Sequence, residues 1–335
     1  MVLSARRPQV ESIPLALRTA WLREAHPQPH VVIAPVVDDV DIDYEDAEIW
    51  SAHVDAFRHA LALAYGSVPA VDVVFSSEGY GPELARRFDA VHVDVDSARG
   101  TYPVSGTRVR KDPIACWTWL SPAVRAHLAR RVVVVGAESS GTTTLARALA
   151  AHYAARGGVW ASTRWVPEYG RTYCEEKLAL ARRAAKTNGE PEPWLDDLGW
   201  EPAEFTLIAE RQLAWEDAAA RSGSPLLVCD TDALATSLWH ERYLGAVSAE
   251  VVRIHERARH DLWIHTSVRD VPFEQDGWRD GEHIRHQMDE RFRAELTSRG
   301  LPHVIVDGTP EGRLEQAVRA VDGLLAEGWR FSPPL

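Results

Sequence analysis

The segment that most restricts the fold is Arg131 to Thr143, where Arg-Val-Val-Val-Val runs into Gly-Ala-Glu-Ser-Ser-Gly-Thr-Thr. An unbroken run of β-branched residues describes a strand buried on both faces, and such strands belong to parallel sheets covered by helices. Beyond it, Leu145, Leu149 and Tyr153 recur at helical spacing, which predicts a helix over Thr142 to Arg156. Strand, glycine turn and helix are the context in which Gly136 and Gly141 match the pattern G-x-x-x-x-G-K-[ST]. Glycines let backbone N–H groups point into a concavity, and the helix N-terminus adds positive potential, so a phosphate is the ligand such a turn suits. Thr143 stands where a hydroxyl ligates Mg²⁺. The departure is Thr142, in the position of the lysine that reaches the outer phosphates.

Lysine is scarce throughout: Lys111, Lys177 and Lys186 are the only ones among 37 basic residues. Replacement charge must come from arginine, and Arg279 and Arg285 are the expected source. The net charge of −12 offers no footprint for nucleic acid or an anionic membrane. Cys116, Cys174 and Cys229 lie far apart without a C-x-x-C pair, so neither a disulfide framework nor a zinc site is indicated, and a reducing cytoplasm is expected. No apolar run approaches the roughly 18 residues of a membrane span, and Met1 to Glu11 lacks an apolar secretory core. A length of 335 residues favours two domains.

From residue 131 onward, strands expected at Arg131–Val135, Trp160–Val166, Leu226–Cys229, Leu262–His265 and His303–Val306 alternate with helices. The helices are expected over 142–156, 171–186, 203–221, 233–244, 248–260, 282–299 and 311–327. Alternation of this kind predicts an α/β fold with a five-stranded parallel sheet, whose ligands gather at the carboxyl ends of the strands. Residues 1–128 read as a second α/β unit, with strands at 30–36, 71–76 and 90–95, helices at 14–24 and 47–65, and a further strand at Val2 to Ala5. Ser121 to Arg130 is the expected join between units 1–128 and 129–335.

Several residues would complete a phosphoryl-transfer site, in which the protein positions the nucleophile and neutralises charge. Glu168, just past the second strand, is placed to accept a proton from a sugar hydroxyl, with a surface pair to Arg171 as the alternative. Asp230 ends a buried strand and suits a role on Mg²⁺ or its waters; Asp232 is open between capping the next helix and binding a ribose hydroxyl. Arg269 to Gly281 has the glycines and arginines of a closing lid, and Asp307-Gly-Thr-Pro310 is expected beside a purine. His255 and His260, five apart on an expected helix, do not share a face and so fail as a zinc pair. The 13 tryptophans read as core and contact residues, although some could stack on a cationic aromatic ligand.

Together these motifs resemble the NadR-like family of bifunctional nicotinamide-nucleotide adenylyltransferases and ribosylnicotinamide kinases. The likeness rests on Gly136 to Thr144, Pro167-Glu-Tyr-Gly-Arg171, Asp230-Thr-Asp232, and Asp270 to Arg279 with Arg285. In the first unit it rests on Ile13 to Arg23, Phe75 to Gly81, and Pro103-Val-Ser-Gly-Thr-Arg-Val-Arg110. The resemblance implies a P-loop kinase fold preceded by a Rossmann-like nucleotidyltransferase domain, ATP and Mg²⁺ as cofactors, and phosphorylation of nicotinamide riboside or a related nucleoside. It implies catalytic Glu168, Asp230 and Arg279, and metal ligation by Thr143 and Asp230. ATP contacts fall to Gly136, Glu138, Ser139, Ser140, Gly141, Thr142, Thr143, Thr144 and Arg285, with Ser105, Thr107 and Arg108 in the first unit. Substrate contacts fall to Tyr169, Arg171, Asp232 and Asp276. The H-x-G-H signature of the adenylyltransferases is absent, so the first unit is expected to be N-terminally incomplete or without catalysis. Three readings remain open: a kinase, an enzyme of both activities, and a regulator that binds nucleotide without turnover. A homo-oligomer is compatible with each.

Overall fold

A computed structural model describes residues 1–274 and 281–332, with the side chain of Asp196 left undescribed. The expected site residues Asp276 and Arg279 lie outside the described residues. The chain divides into a unit of Met1–Ala123 with the residues from Trp329 onward, and a unit of Val124–Gly328.

The first unit contains β1 (Val2–Ala5), α1 (Leu15–Ala25), β2 (Ala34–Val37), α2 (Ala47–Tyr65), β3 (Val73–Ser76), α3 (Gly81–Arg87), β4 (Val91–Asp94) and α4 (Gly106–Lys111). Its strands form two separate parallel pairs, β1 with β2 and β3 with β4. Asp46 starts α2 by accepting from the N–H groups of Glu48 and Ile49, and Gly66, at φ +79°, ends it in the left-handed conformation that glycine adopts freely. A small core gathers Ala34, Val36 and Ala60.

The second unit opens on α5 (Pro122–Leu128), whose first residues straddle the division. Then follow β5 (Arg130–Val135), α6 (Thr142–Ala154), β6 (Arg164–Val166), α7 (Tyr169–Asn188), α8 (Pro202–Ser222), β7 (Leu226–Asp230), α9 (Ala233–Leu244), α10 (Ala249–Arg257), β8 (Leu262–Thr266), α11 (Arg285–Ser298), β9 (His303–Val306) and α12 (Pro310–Ala326). All five strands are parallel, in the order β6-β7-β5-β8-β9. Central β5 is buried from Arg131 to Val135, and with Leu145, Leu149 and Tyr153 of α6 and Ala317 and Val321 of α12 it forms the main core. Removing such a side chain, as in Leu149→Ala, costs about 2–5 kcal/mol.

In the first unit the strand expected at 30–36 starts only at Ala34, and α3 and α4 are additional to the expected helices, as is α5; in the second unit two elements differ most. Gly158–Ser162 is a 3-10 turn, so only Arg164–Val166 of the expected second strand pairs with the sheet. α10 stops at Arg257, because Ala258 turns extended at ψ 153° and carries His260 inward against Glu216 of α8.

Candidate active site

The carboxyl ends of the five strands carry the site, and the loop from β5 to α6 is its centre. Gly141 has φ +89°, where any side chain would be strained. Gly136 is required by space: a Cβ there would stand 2.4 Å from Thr266 Oγ1 and 2.5 Å from Ser140 Oγ. Those two hydroxyls share a hydrogen bond of 2.7 Å, so β8 closes directly against the loop.

Two buried arginines hold the loop from behind. Arg285 donates to the carbonyls of Glu138 at 3.1 Å, Ser139 at 2.9 Å and Val271 at 2.8 Å. Arg313 of α12 donates to the carbonyls of Ser140 at 2.7 Å, Gly308 at 2.9 Å and Ser267 at 2.8 Å. Cations that draw three consecutive loop carbonyls outward turn the peptide dipoles so that N–H groups face the concavity. Arg285 was expected to bring charge to the phosphates directly; its donors rest on carbonyls, so it shapes the loop instead. Arg313 carried no signal in the sequence beyond lying shortly after Asp307-Gly-Thr-Pro310.

Two acids face the loop. Asp230, at the end of β7, is buried, and its carboxyl is pushed up to about 6 by desolvation, against hydrogen bonds from the hydroxyls of Thr143 and Thr142 and the charge of Arg171. Glu168, the residue before α7, is raised to about 7, first by desolvation and then by the charge of Asp230, while Arg171 opposes the shift. Between Asp230 and Asp232, Thr231 is held at φ +72°, an unusual conformation for a β-branched residue and a sign that the end of β7 is locally constrained.

The phosphate loop separates two cavities. One is lined by Gly136 to Ser139, Thr142, Thr143, Glu168, Arg171 and Asp230, and continues to an aromatic wall of Trp200, Phe205, Trp239 and Tyr243. Trp200, in the loop before α8, packs 5.1 Å from Phe205 of α8 and 5.4 Å from Tyr243 of α9 between ring centres, so the three rings form one continuous surface. The other cavity lies across the loop, lined by Ser139 to Leu145, Asp270 to Pro272, Glu274, and Gly308 to Pro310 with Arg313. Ser139, Thr142 and Thr143 line both.

The remaining expected residues sort by position. Thr144 lines the second cavity. Glu138 receives Arg242 Nη1 at 3.0 Å and the Gly281 N–H at 2.7 Å, tying the loop to α9 and to the end of the 270–281 segment. Asp232 does not reach the cleft: fully buried, it accepts from Ala235 N at 3.0 Å and from Trp263 Nε1 at 3.0 Å, so of the two roles left open it takes the capping one. The Tyr169 ring stands edge-on to Trp215 at 4.9 Å and is not part of the lining. Ser105, Thr107 and Arg108 lie in the first unit, where Ser105 caps α4 through Arg108 N at 3.2 Å. The aromatic wall has no signature in the sequence because its members come from the loop before α8, from α8 and from α9, and share no local pattern.

Comparison with known proteins agrees with this architecture. The trifunctional NAD biosynthesis/regulator protein NadR of Salmonella typhimurium is 23% identical over 283 residues, 84% of this chain and 62% of that protein. The NadR protein of Escherichia coli is 24% identical over 233 residues, 69% of this chain and 50% of that protein. The chain thus spans less than two thirds of the curated relatives it matches. A crystal structure of NadR in complex with NR has the same fold, with TM-score 0.68 at 21% identity over 100% of this chain and 89% of that one. Another, with NAD and AMP-PNP, gives 0.67 at 21% identity over 99% and 89%. A family model described as an AAA domain matches residues 131–313. The chain is homologous to NadR and, with more than half of its length matched by that model, belongs to this AAA domain family.

Proposed function

We propose that the second unit is a kinase that transfers the γ-phosphoryl group of ATP to the 5′-hydroxyl of nicotinamide riboside, giving nicotinamide mononucleotide. The observation that carries this reading is the phosphate loop set between two cavities, one with paired acids and an aromatic wall, the other beside Gly308 to Pro310. A hydrolase needs only the nucleotide side; a second, walled cavity that meets the loop at Thr142 and Thr143 suits an acceptor molecule. Its flat aromatic faces fit a planar cationic ring, the group that distinguishes nicotinamide riboside from ordinary nucleosides. The NadR proteins of Salmonella typhimurium and Escherichia coli are named for NAD biosynthesis, and one NadR structure is a complex with NR, which supports the same substrate.

In this reading the loop N–H groups bind the phosphates, and Arg285 and Arg313 hold the loop in shape. Glu168, poised near 7, accepts the hydroxyl proton as the new O–P bond forms and the bond to the ADP oxygen breaks. Thr143 and Asp230 offer the hard oxygen donors that Mg²⁺ takes, and a cation there would relieve the desolvation that raises Asp230. When bound, the ion supplies charge neutralisation on the phosphate oxygens. The aromatic wall excludes water, which favours transfer over hydrolysis.

Steady-state kinetics test the placement. Trp200→Ala and Tyr243→Ala should each raise KM for nicotinamide riboside about tenfold, the order of one lost aromatic contact, and leave KM for ATP near its starting value. A parallel rise in both constants would remove the acceptor from that cavity.

A further inference from the structure

Outside the cleft, a second group of side chains converges behind the sheet. Asp232 at the start of α9, His255 of α10 and His260 before β8 bring one ligand atom each within 4.8 Å of one another. Sequence spacing argued against the histidines because both were placed on one helix. α10 ends at Arg257, and the turn that follows folds His260 back beside His255.

The distances discriminate between kinds of contact. His260 Nδ1 stands 3.5 Å from Asp232 Oδ2, and His255 Nδ1 stands 3.8 Å from the same atom. A charge-assisted hydrogen bond would draw these atoms to about 2.8 Å. Ligands bound at about 2.0–2.1 Å around a tetrahedral zinc ion stand about 3.4 Å apart. Both Nδ1 atoms are buried and have no hydrogen-bond partner among the described residues. The His260 side chain is only 1% exposed and that of Asp232 is 0% exposed.

The surroundings have the form of a metal site's outer shell. Glu216 Oε2 lies 2.7 Å from His260 Nε2; in the tautomer that donates from Nε2, the Nδ1 lone pair is turned toward Asp232. Trp263 Nε1 and Ala235 N fix the Asp232 carboxylate. A lone pair aimed at a carboxylate oxygen with nothing between them is repulsive, and the competing occupant is a proton on His260.

We infer that Asp232, His255 and His260 form a binding site for a transition-metal ion of the zinc class, distinct from the Mg²⁺ position at Thr143 and Asp230. Two imidazoles and one carboxylate are borderline donors that select zinc over magnesium. The ion would tie α8, through Glu216, to α9, α10 and the start of β8. It would also anchor the end of β7, two residues from Asp230.

The full chain, stripped with a chelator and re-equilibrated with Zn²⁺ in the presence of excess Mg²⁺, tests this. After gel filtration it should retain one equivalent of zinc by elemental analysis and melt several degrees higher than the stripped protein. His255→Gln and His260→Gln should each lose the retained zinc, whereas Asp230→Asn should keep it. Glu216→Gln should weaken affinity about 10–100-fold. Cobalt(II) in the wild-type chain gives a readout that needs no variant to fold: intense tetrahedral absorption bands are expected. No retained zinc, retention undiminished in both folded histidine variants, or only the weak spectrum of octahedral cobalt would overturn the assignment and leave a buried imidazolium between Glu216 and Asp232.

Discussion

In β5 of the second unit, Val132, Val133 and Val134 are wholly buried, whereas in β3 and β4 of the first unit Val73, Phe75, Val91 and Val93 stand exposed. Both regions are parallel and rich in valine. They differ in the number of partners: among the described residues β5 has a paired strand on each side, while β3 pairs with β4 alone. A sheet of five strands covered by helices can bury both faces and hold all its carboxyl-end loops in one place. A two-stranded pair leaves edges and faces open and is marginal alone. In the second unit, the rigidity of the sheet fixes Glu168, Asp230 and the phosphate loop relative to one another.

The largest expected effect is chemical. Glu168→Gln should lower turnover by about two orders of magnitude or more while ATP binding survives, the usual scale of a general base. Retention of near-normal turnover, measured alongside nucleotide binding by calorimetry, would take the base away from Glu168.

Packing comes next and contrasts the two regions directly. Leu149→Ala, at a fully buried position, should destabilise by about 2–5 kcal/mol. Phe75→Ala, at a site 68% exposed, should change stability by no more than about 0.5 kcal/mol. Denaturant unfolding of both variants checks the contrast, and equal losses would mean that the exposed face of β3 is covered in solution.

Arg285→Met removes three hydrogen bonds to loop and neighbouring carbonyls. It should weaken ATP binding about tenfold or more, given about 1.5–3 kcal/mol for a hydrogen bond to a charged group. Unchanged affinity would show that the loop keeps its shape unaided.

The last effect concerns pH. The Glu168 carboxyl, ordinarily near 4.5, rises to about 7 in the folded protein, so the folded state holds this proton more tightly than the unfolded chain does. Its stabilising contribution is complete below about pH 4.5 and lost as pH climbs through about 7. Glu168→Gln should therefore gain in melting temperature relative to wild type on going from pH 5 to pH 8. A difference that stays constant or shrinks would contradict the desolvation of this acid.

Much of the second unit was legible in sequence because its signals are local. The valine run of β5, the glycine spacing of the loop and the acids following β6 and β7 each occupy a few consecutive residues. What escaped was assembled by the fold. Arg285 reads as a free cation until its three carbonyl partners are seen, and Arg313 gives no hint that it reaches Ser140. Trp200 lies just before α8 and Tyr243 near the end of α9, and the two meet only in three dimensions. The position of His260 is not legible in sequence because the helix expected over 248–260 ends at Arg257, three residues short.

The most direct test of the central claim is to incubate the purified chain with ATP, Mg²⁺ and nicotinamide riboside and to follow products by mass spectrometry. ADP and nicotinamide mononucleotide are expected in equal amounts, both dependent on the riboside. Absence of ADP above background would contradict it, and would mean that a loop with Thr142 in place of lysine binds nucleotide without transferring phosphate.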